Sequence, residues 1–247
     1  GEAQHALSVF MTLTGGQTGN NGGYNYSAGL HIATSRVALV SCIITNNRSI
    51  GRGGFGGALY INASSVVGLT NCIIRRNTLE AIGGNWGSHG GGIYSAGTLT
   101  MTDCVLADNL NSISSAGNEW GGGLYVNSGT ALLRNCRVTG NRATDGSDGI
   151  HLAGGTLSLE NCTVAFNGRQ GINRAAGTAA ATNCILWGNV DDLVGTISLG
   201  YCAVEDGDDA GTNGNFSADP LLEFGYYLSP TSPCVNAGTG GAGLTGG

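Results

Sequence analysis

Two sets of residues in this 247-residue chain carry reactive or polar-aromatic groups at repeating intervals. The first is cysteine: Cys42, Cys72, Cys104, Cys136, Cys162, Cys184 and Cys202, with Cys234 standing apart. The second is a column reading His31, Tyr60, Tyr94, Tyr125, His151 and Asn173, with Tyr24, Phe55, Trp86, His89, Glu119 and Trp120 in the segments just upstream. Thiols could pair, bind a metal or fill a core. Outward Tyr and His beside Trp could stack on sugar rings, because ring faces accept C–H surfaces while the polar tips hydrogen-bond.

The spacing of the cysteines reveals the elements that position both sets. Each sits in one phrase: LTNCIIRRN around Cys72, MTDCVLADN around Cys104, LRNCRVTGN around Cys136, LENCTVAFN around Cys162 and ATNCILWGN around Cys184. Three residues before the cysteines stand Leu39, Leu69, Met101, Leu133, Leu159, Ala181 and Leu199. Two residues after come Ile44, Ile74, Leu106, Val138, Val164, Leu186 and Val204. Five after come Asn47, Asn77, Asn109, Asn141, Asn167 and Asn189, failing only at Gly207. Stepping back 31 residues from Cys42 lands on Met11, with Leu13 and Gly16 in the matching places. A second phrase recurs inside each repeat, GGALYI at Gly56, GGIYS at Gly91 and GGLYV at Gly122, and more loosely AGLHI at Ala28 and DGIHL at Asp148.

Intervals of 30, 32, 32, 26, 22 and 18 residues separate the cysteines, so a constant phrase alternates with a shrinking excursion. Fixed phrases at this period mark a solenoid. Short alternating runs rich in Val, Ile and Thr, punctuated by Gly and lacking any sustained 3.6-residue period, make its elements strands. The expected fold is all-β: a right-handed parallel β-helix of about eight coils over residues 1–204, with 205–247 as a closing segment of the same domain.

The phrases GG[AGIL]xY and xCxxxxN resemble the GGA[ILV] and FxxN repeats of chlamydial polymorphic outer-membrane proteins. They are also similar to the β-helix repeats of bacterial secreted and surface proteins. The tail DPLLEFGYYLSPTSPCVNAG, from Asp219 to Gly238, is similar to segments that close such helices. The resemblance implies an extracellular or cell-surface module within the pectate-lyase-like superfamily. That superfamily holds lyases, hydrolases, adhesins and structural modules alike, and fold does not choose among them.

Each candidate site has a structural alternative. Stacked cysteines fit buried thiols acting as small hydrophobes, a chain of intercoil disulfides being the rival; no CxxC or Cys/His cluster points to a metal. Cys234 could cover or bond to Cys202. The residues just before the cysteines, Ser41, Asn71, Asp103, Asn135, Asn161 and Asn183, suit a turn ladder. The face of His31, Tyr60, Tyr94, Tyr125, His151, Trp86, His89, Glu119 and Trp120 is the candidate glycan surface, against self-stacking of those rings. Asp206, Asp208 and Asp209 in EDGDDAGTNGN are a weak Ca²⁺ candidate that lacks the pattern of an EF-hand loop.

Chemistry on a polysaccharide would need two carboxylates about 5–10 Å apart, or a base with a cation set facing a uronate. Lysine is absent, the ten cations are all Arg, and Arg52, Arg142 and Arg174 sit at scattered offsets. The expectation is therefore a non-catalytic adhesion or structural module, engaging a polysaccharide or a surface protein; a lyase or glycoside hydrolase is the alternative. A net charge of −6 without a basic cluster argues against nucleic acid. No run reaches the ~20 apolar residues of a membrane span, no signal peptide heads the sequence, and no resident cofactor beyond the Ca²⁺ candidate is expected. The pattern already runs at the first residues, so further upstream sequence or end-to-end self-association is expected.

Overall fold

The computed structural model describes residues 5–8, 11–19, 24–82, 87–113, 119–223 and 226–239, the first four by backbone alone. Strands stack in parallel on their equivalents from neighbouring coils. The first sheet holds eight: His5–Ser8, Arg36–Val40, Val66–Thr70, Thr98–Thr102, Thr130–Arg134, Thr156–Glu160, Thr178–Thr182 and Ser198–Gly200. The second, just past the cysteines, also holds eight, from Thr12–Thr14 to Ala203–Val204. The third holds five, from Gln17–Thr18 to Arg142–Ala143, and the fourth four: Tyr24–Tyr26, Gly53–Phe55, Ser88–His89 and Glu119–Trp120. An aromatic sheet of seven, from Leu30–Ile32 to Asp191–Val194, closes the circuit.

These counts correct the expectation of eight like coils. Among the described residues, eight rungs are found in the first two sheets, whereas about five turns carry the third wall as well. The physical reason is the shrinking excursion: after Ala143 the chain no longer has the length to build the third and fourth walls.

Period-2 patterning builds the main core. Leu39, Leu69, Met101, Leu133, Leu159, Ala181 and Leu199 are register partners down the first sheet, all buried. Leu13, Ile44, Ile74, Leu106, Val138, Val164, Leu186 and Val204 form the matching column in the second, which bears out the backward extrapolation to the first rung. The corner between these sheets is made by one residue in the left-handed region. Ser41, Asn71, Asp103, Asn135, Asn161 and Asn183 all have φ between 51° and 55°, a conformation short polar side chains tolerate best. Asn71 Nδ2 donates to Ser41 Oγ at 3.0 Å and Asn135 Nδ2 to Asp103 Oδ1 at 3.1 Å, so the corner is bonded along the stack.

The buried asparagines make a second ladder. The backbone N–H and Nδ2 of Asn77 both donate to Asn109 Oδ1, at 3.1 and 3.0 Å, and Asn109 bonds to Asn141 in the same way. Each Nδ2 also reaches a carbonyl of the preceding coil, as Asn77 does to Ile44 O at 3.0 Å. One side chain thereby satisfies several backbone groups that a tight bend would otherwise orphan.

Residues 205–216 cross the last rung: Phe216 bridges Ala203, and Cys202 N–H donates to Asn215 Oδ1 at 2.9 Å. The tail then runs back along the outside, where Tyr226 meets Phe166 at 5.6 Å, Arg137 lies 5.6 Å over the Tyr227 ring, and Asn183 bonds to Thr239. Among the described residues no helix is long and apolar enough to cross a membrane.

Candidate functional site

Strand alternation turns the residue after each inward Leu or Ile outward. His31, Tyr60, Tyr94, Tyr125, His151 and Asn173 are register partners in that order along the aromatic sheet. Tyr60, Tyr94, Tyr125 and His151 stack face to face at 5.2, 5.5 and 5.1 Å with interplanar angles of 8–10°. His31 meets Tyr60 edge-on at 4.7 Å. The fourth sheet adds a parallel column, Tyr26, Phe55, His89 and Trp120, set one coil out of step. Phe55 packs on Tyr94 at 4.8 Å, His89 on Tyr125 at 4.4 Å and Trp120 on His151 at 4.8 Å.

Two aromatic columns thus close on each other along the middle coils. Tyr94 and Tyr125 are only 8% and 7% exposed, and His151 is buried. At the first rungs the same surface is open: Tyr24 and Tyr26 are each 43% exposed, and His31 is exposed. Burial raises the phenol pKa values of Tyr60, Tyr94 and Tyr125 and lowers those of His89 and His151 to about 4. Both imidazoles are neutral at pH 7. Trp86 lies outside the described residues.

The third and fourth sheets enclose a narrow lobe beside the main core. Its inner faces carry Ser49, Leu79, Asn111 and Ala143 from one wall, Asn25, Gly54, Ser88 and Glu119 from the other, all buried. A Cβ at Gly54 would lie 2.8 Å from Leu79 Cδ1 and 2.9 Å from Asn25 O, so this close approach needs glycine. Asparagines brace the gap. Asn25 Nδ2 donates to Ile50 O across it, and Asn111 Nδ2 donates to Ser88 O at 2.7 Å and Trp120 O at 3.2 Å. Glu119 is fully buried, and among the described residues neither carboxyl oxygen has a hydrogen-bond donor. Burial first, then the Asp145 carboxyl beside it, push Glu119 up to about 7.

Glu119 therefore does not belong to an outward sugar-facing surface, and this corrects its placement there. Alternation explains why: in Asn25-Tyr26, Ser88-His89 and Glu119-Trp120 the aromatic faces outward, so the residue before it faces in. That dipeptide pattern was the signal from which Asn25 and Ser88 could have been found, whereas Asn111, on the opposite wall, precedes Ser112 and carries no such mark. Asp206 Oδ2 accepts from the Asp192 N–H at 3.1 Å, while Asp208 and Asp209 are exposed. Among the described residues no three His, Cys, Asp or Glu side chains converge as metal ligands.

None of the eight cysteines is in a disulfide, and the seven of the ladder are buried. Each ladder thiol leans on backbone, as Cys104 Sγ does on Thr102 O at 3.2 Å and Leu69 O at 3.4 Å. The adjoining Cys136 thiol and burial push Cys104 up to about 12, whereas the Cys184 thiol brings Cys202, at the end of the ladder, down to about 7. Cys234 is not bonded to Cys202.

Stacked parallel rungs with internal asparagine and thiol ladders define a β-solenoid. The chain belongs to the family described as right-handed beta helix region, whose profile matches residues 8–215. Comparison with curated proteins and with solved structures gave no match.

Proposed function

We propose that this β-helix is a non-catalytic module of a secreted or cell-surface bacterial protein that binds a glycan at the open end of its aromatic columns. The observation that supports this reading is the exposure of Tyr24, Tyr26 and His31 at the first rungs, against burial of Tyr94, Tyr125 and His151 further along the column. Exposed rings held by their neighbours (Tyr24 stacks on Phe55 at 5.3 Å) give a preorganised platform for sugar C–H faces. The fully buried Glu119 speaks against hydrolysis, since a general acid must come within hydrogen-bond reach of the glycosidic oxygen. A glycan array probed with the wild type and with Tyr26→Ala is the test. A hit lost in Tyr26→Ala but retained in Tyr227→Ala supports the reading. Unsaturated or hydrolysed products from pectate, alginate or other polysaccharides would overturn it.

A second reading, end-to-end association, is favoured by the first rung. A cavity of about 400 Å³ there is lined by Met11, Leu13, Leu30, Ile32, Val37 and Leu39. Thr12–Thr14 and Leu30–Ile32 each pair on one side only among the described residues. Another β-helix rung fits such an edge. Light scattering across a concentration series tests it, with a concentration-dependent dimer expected and a strict monomer contradicting it.

A further inference from the structure

Among the described residues, four side-chain oxygens inside the lobe are buried with no hydrogen-bond donor to them: Ser88 Oγ, Asn111 Oδ1, and Oε1 and Oε2 of Glu119, the last with the Asp145 carboxyl within hydrogen-bond reach. They belong together. Ser88 and Glu119 are register partners on adjacent rungs, one strand spacing or about 4.8 Å apart. Asn111 reaches across from the opposite wall with its Nδ2 fixed on Ser88 O and Trp120 O, leaving its carbonyl oxygen as the free end. On the solvent side the Asp145-Gly146 turn presses onto the Glu119 backbone, so closely that Gly146 has no room for a Cβ. That contact sets the exposed Asp145 at the mouth of the lobe.

Unpartnered buried oxygens on this scale cost several kcal/mol unless something occupies the space between them. We propose that Ser88, Asn111, Glu119 and Asp145 form a Ca²⁺ site between the third and fourth sheets, separate from the acidic turn at Asp206–Asp209. The donor set decides the ion. It is all oxygen, mixing carboxylate, amide and hydroxyl, whereas zinc takes nitrogen and sulfur. Ca²⁺ accepts six to eight oxygens in loose geometry, while Mg²⁺ demands a near-ideal octahedron and keeps its waters. The two charges of Ca²⁺ offset the Glu119 and Asp145 carboxylates, displacing the proton that the pair otherwise shares. Bound there, the ion would tie the two walls of the lobe together behind the Phe55, His89 and Trp120 column.

The test uses the whole chain, stripped with EDTA and melted with CaCl₂ or MgCl₂. Calcium at a hundredfold excess over its dissociation constant is expected to raise Tm by about 5–10 °C, with a smaller effect of magnesium. Tb³⁺ in place of Ca²⁺ should luminesce through energy transfer from Trp120, the residue next to Glu119. Glu119→Gln, nearly isosteric, should abolish both signals, and Ser88→Ala should weaken calcium about tenfold and serves as the readout should Glu119→Gln fail to fold. Asp206→Asn should change neither signal. No calcium shift and no Tb³⁺ emission in the wild type would overturn the proposal, leaving water or a proton in the lobe. Signals that survive Ser88→Ala unchanged but vanish in Asp206→Asn would overturn it equally, placing the ion at the C-terminal turn.

Discussion

The main core and the side lobe are built from the same coils by opposite rules. Where the first two sheets meet, six successive rungs repeat an apolar pair, a thiol and an asparagine, and the asparagine ladder joins these coils to one another. In the lobe the inner residue changes at each rung, from Asn25 to Gly54 to Ser88 to Glu119, and unpartnered oxygens collect there. Repetition over-determines a frame, because each ladder residue is held from both sides. Variation from rung to rung leaves room for a ligand. The region free of ladders is therefore where a bound ion is sought.

The comparison can be broken most forcefully at the asparagine ladder. Asn109→Ala removes an acceptor of two bonds from Asn77 and a donor to Ile74 O and Asn141. Orphaning those groups should cost about 3–6 kcal/mol, read as a lowered denaturation midpoint. A loss under about 1 kcal/mol would show that the ladder decorates the frame without holding it. Gly54→Ala tests how tightly the lobe walls approach. A Cβ meeting Leu79 and Asn25 should destabilise by about 2 kcal/mol, and a neutral result would mean the walls can part.

Acid should act through the covered aromatic columns. His89 and His151 have native pKa values of about 4 against an ordinary 6.5. Between those values the unfolded chain binds more protons, so their contribution is full above pH 6.5 and is lost as pH falls toward 4. His151→Asn, which copies the next rung's Asn173, should reduce that loss by on the order of 1–2 kcal/mol. Thermal melts from pH 7 to pH 4 measure it, and an unchanged pH dependence would place His151 in solvent. At the small end, Ser88→Ala in EDTA should be neutral or stabilising by up to about 1 kcal/mol, since its hydroxyl has no partner to lose. Sulfhydryl titration in denaturant without reductant should find eight free thiols, in line with the unbonded ladder.

The frame was legible in the sequence because its residues repeat. One phrase fixed which side of each strand is buried, which residue turns the corner and which asparagine lies within. The coil count was legible only for the two sheets that carry the phrase. The walls of the lobe come from excursions whose length varies, so nothing in the spacing set their register. The aromatic column was read correctly as turned away from the main core, but its cover was hidden. Phe55, His89 and Trp120 each reach a ring one coil along, a contact between elements that no local pattern encodes. Glu119 was misplaced for a related reason: its strand has two residues, too short to show alternation by itself.

Native-state hydrogen exchange tests the division between frame and lobe most directly. The amides of Ile73, Val105 and Arg137, which bond from coil to coil beside the thiols, should exchange only through global opening. Those of Asn111–Ile113 and Glu119–Trp120, measured in EDTA, should exchange faster by about a hundredfold or more, reflecting local opening of an under-bonded wall. Equal protection in the two regions would contradict the account.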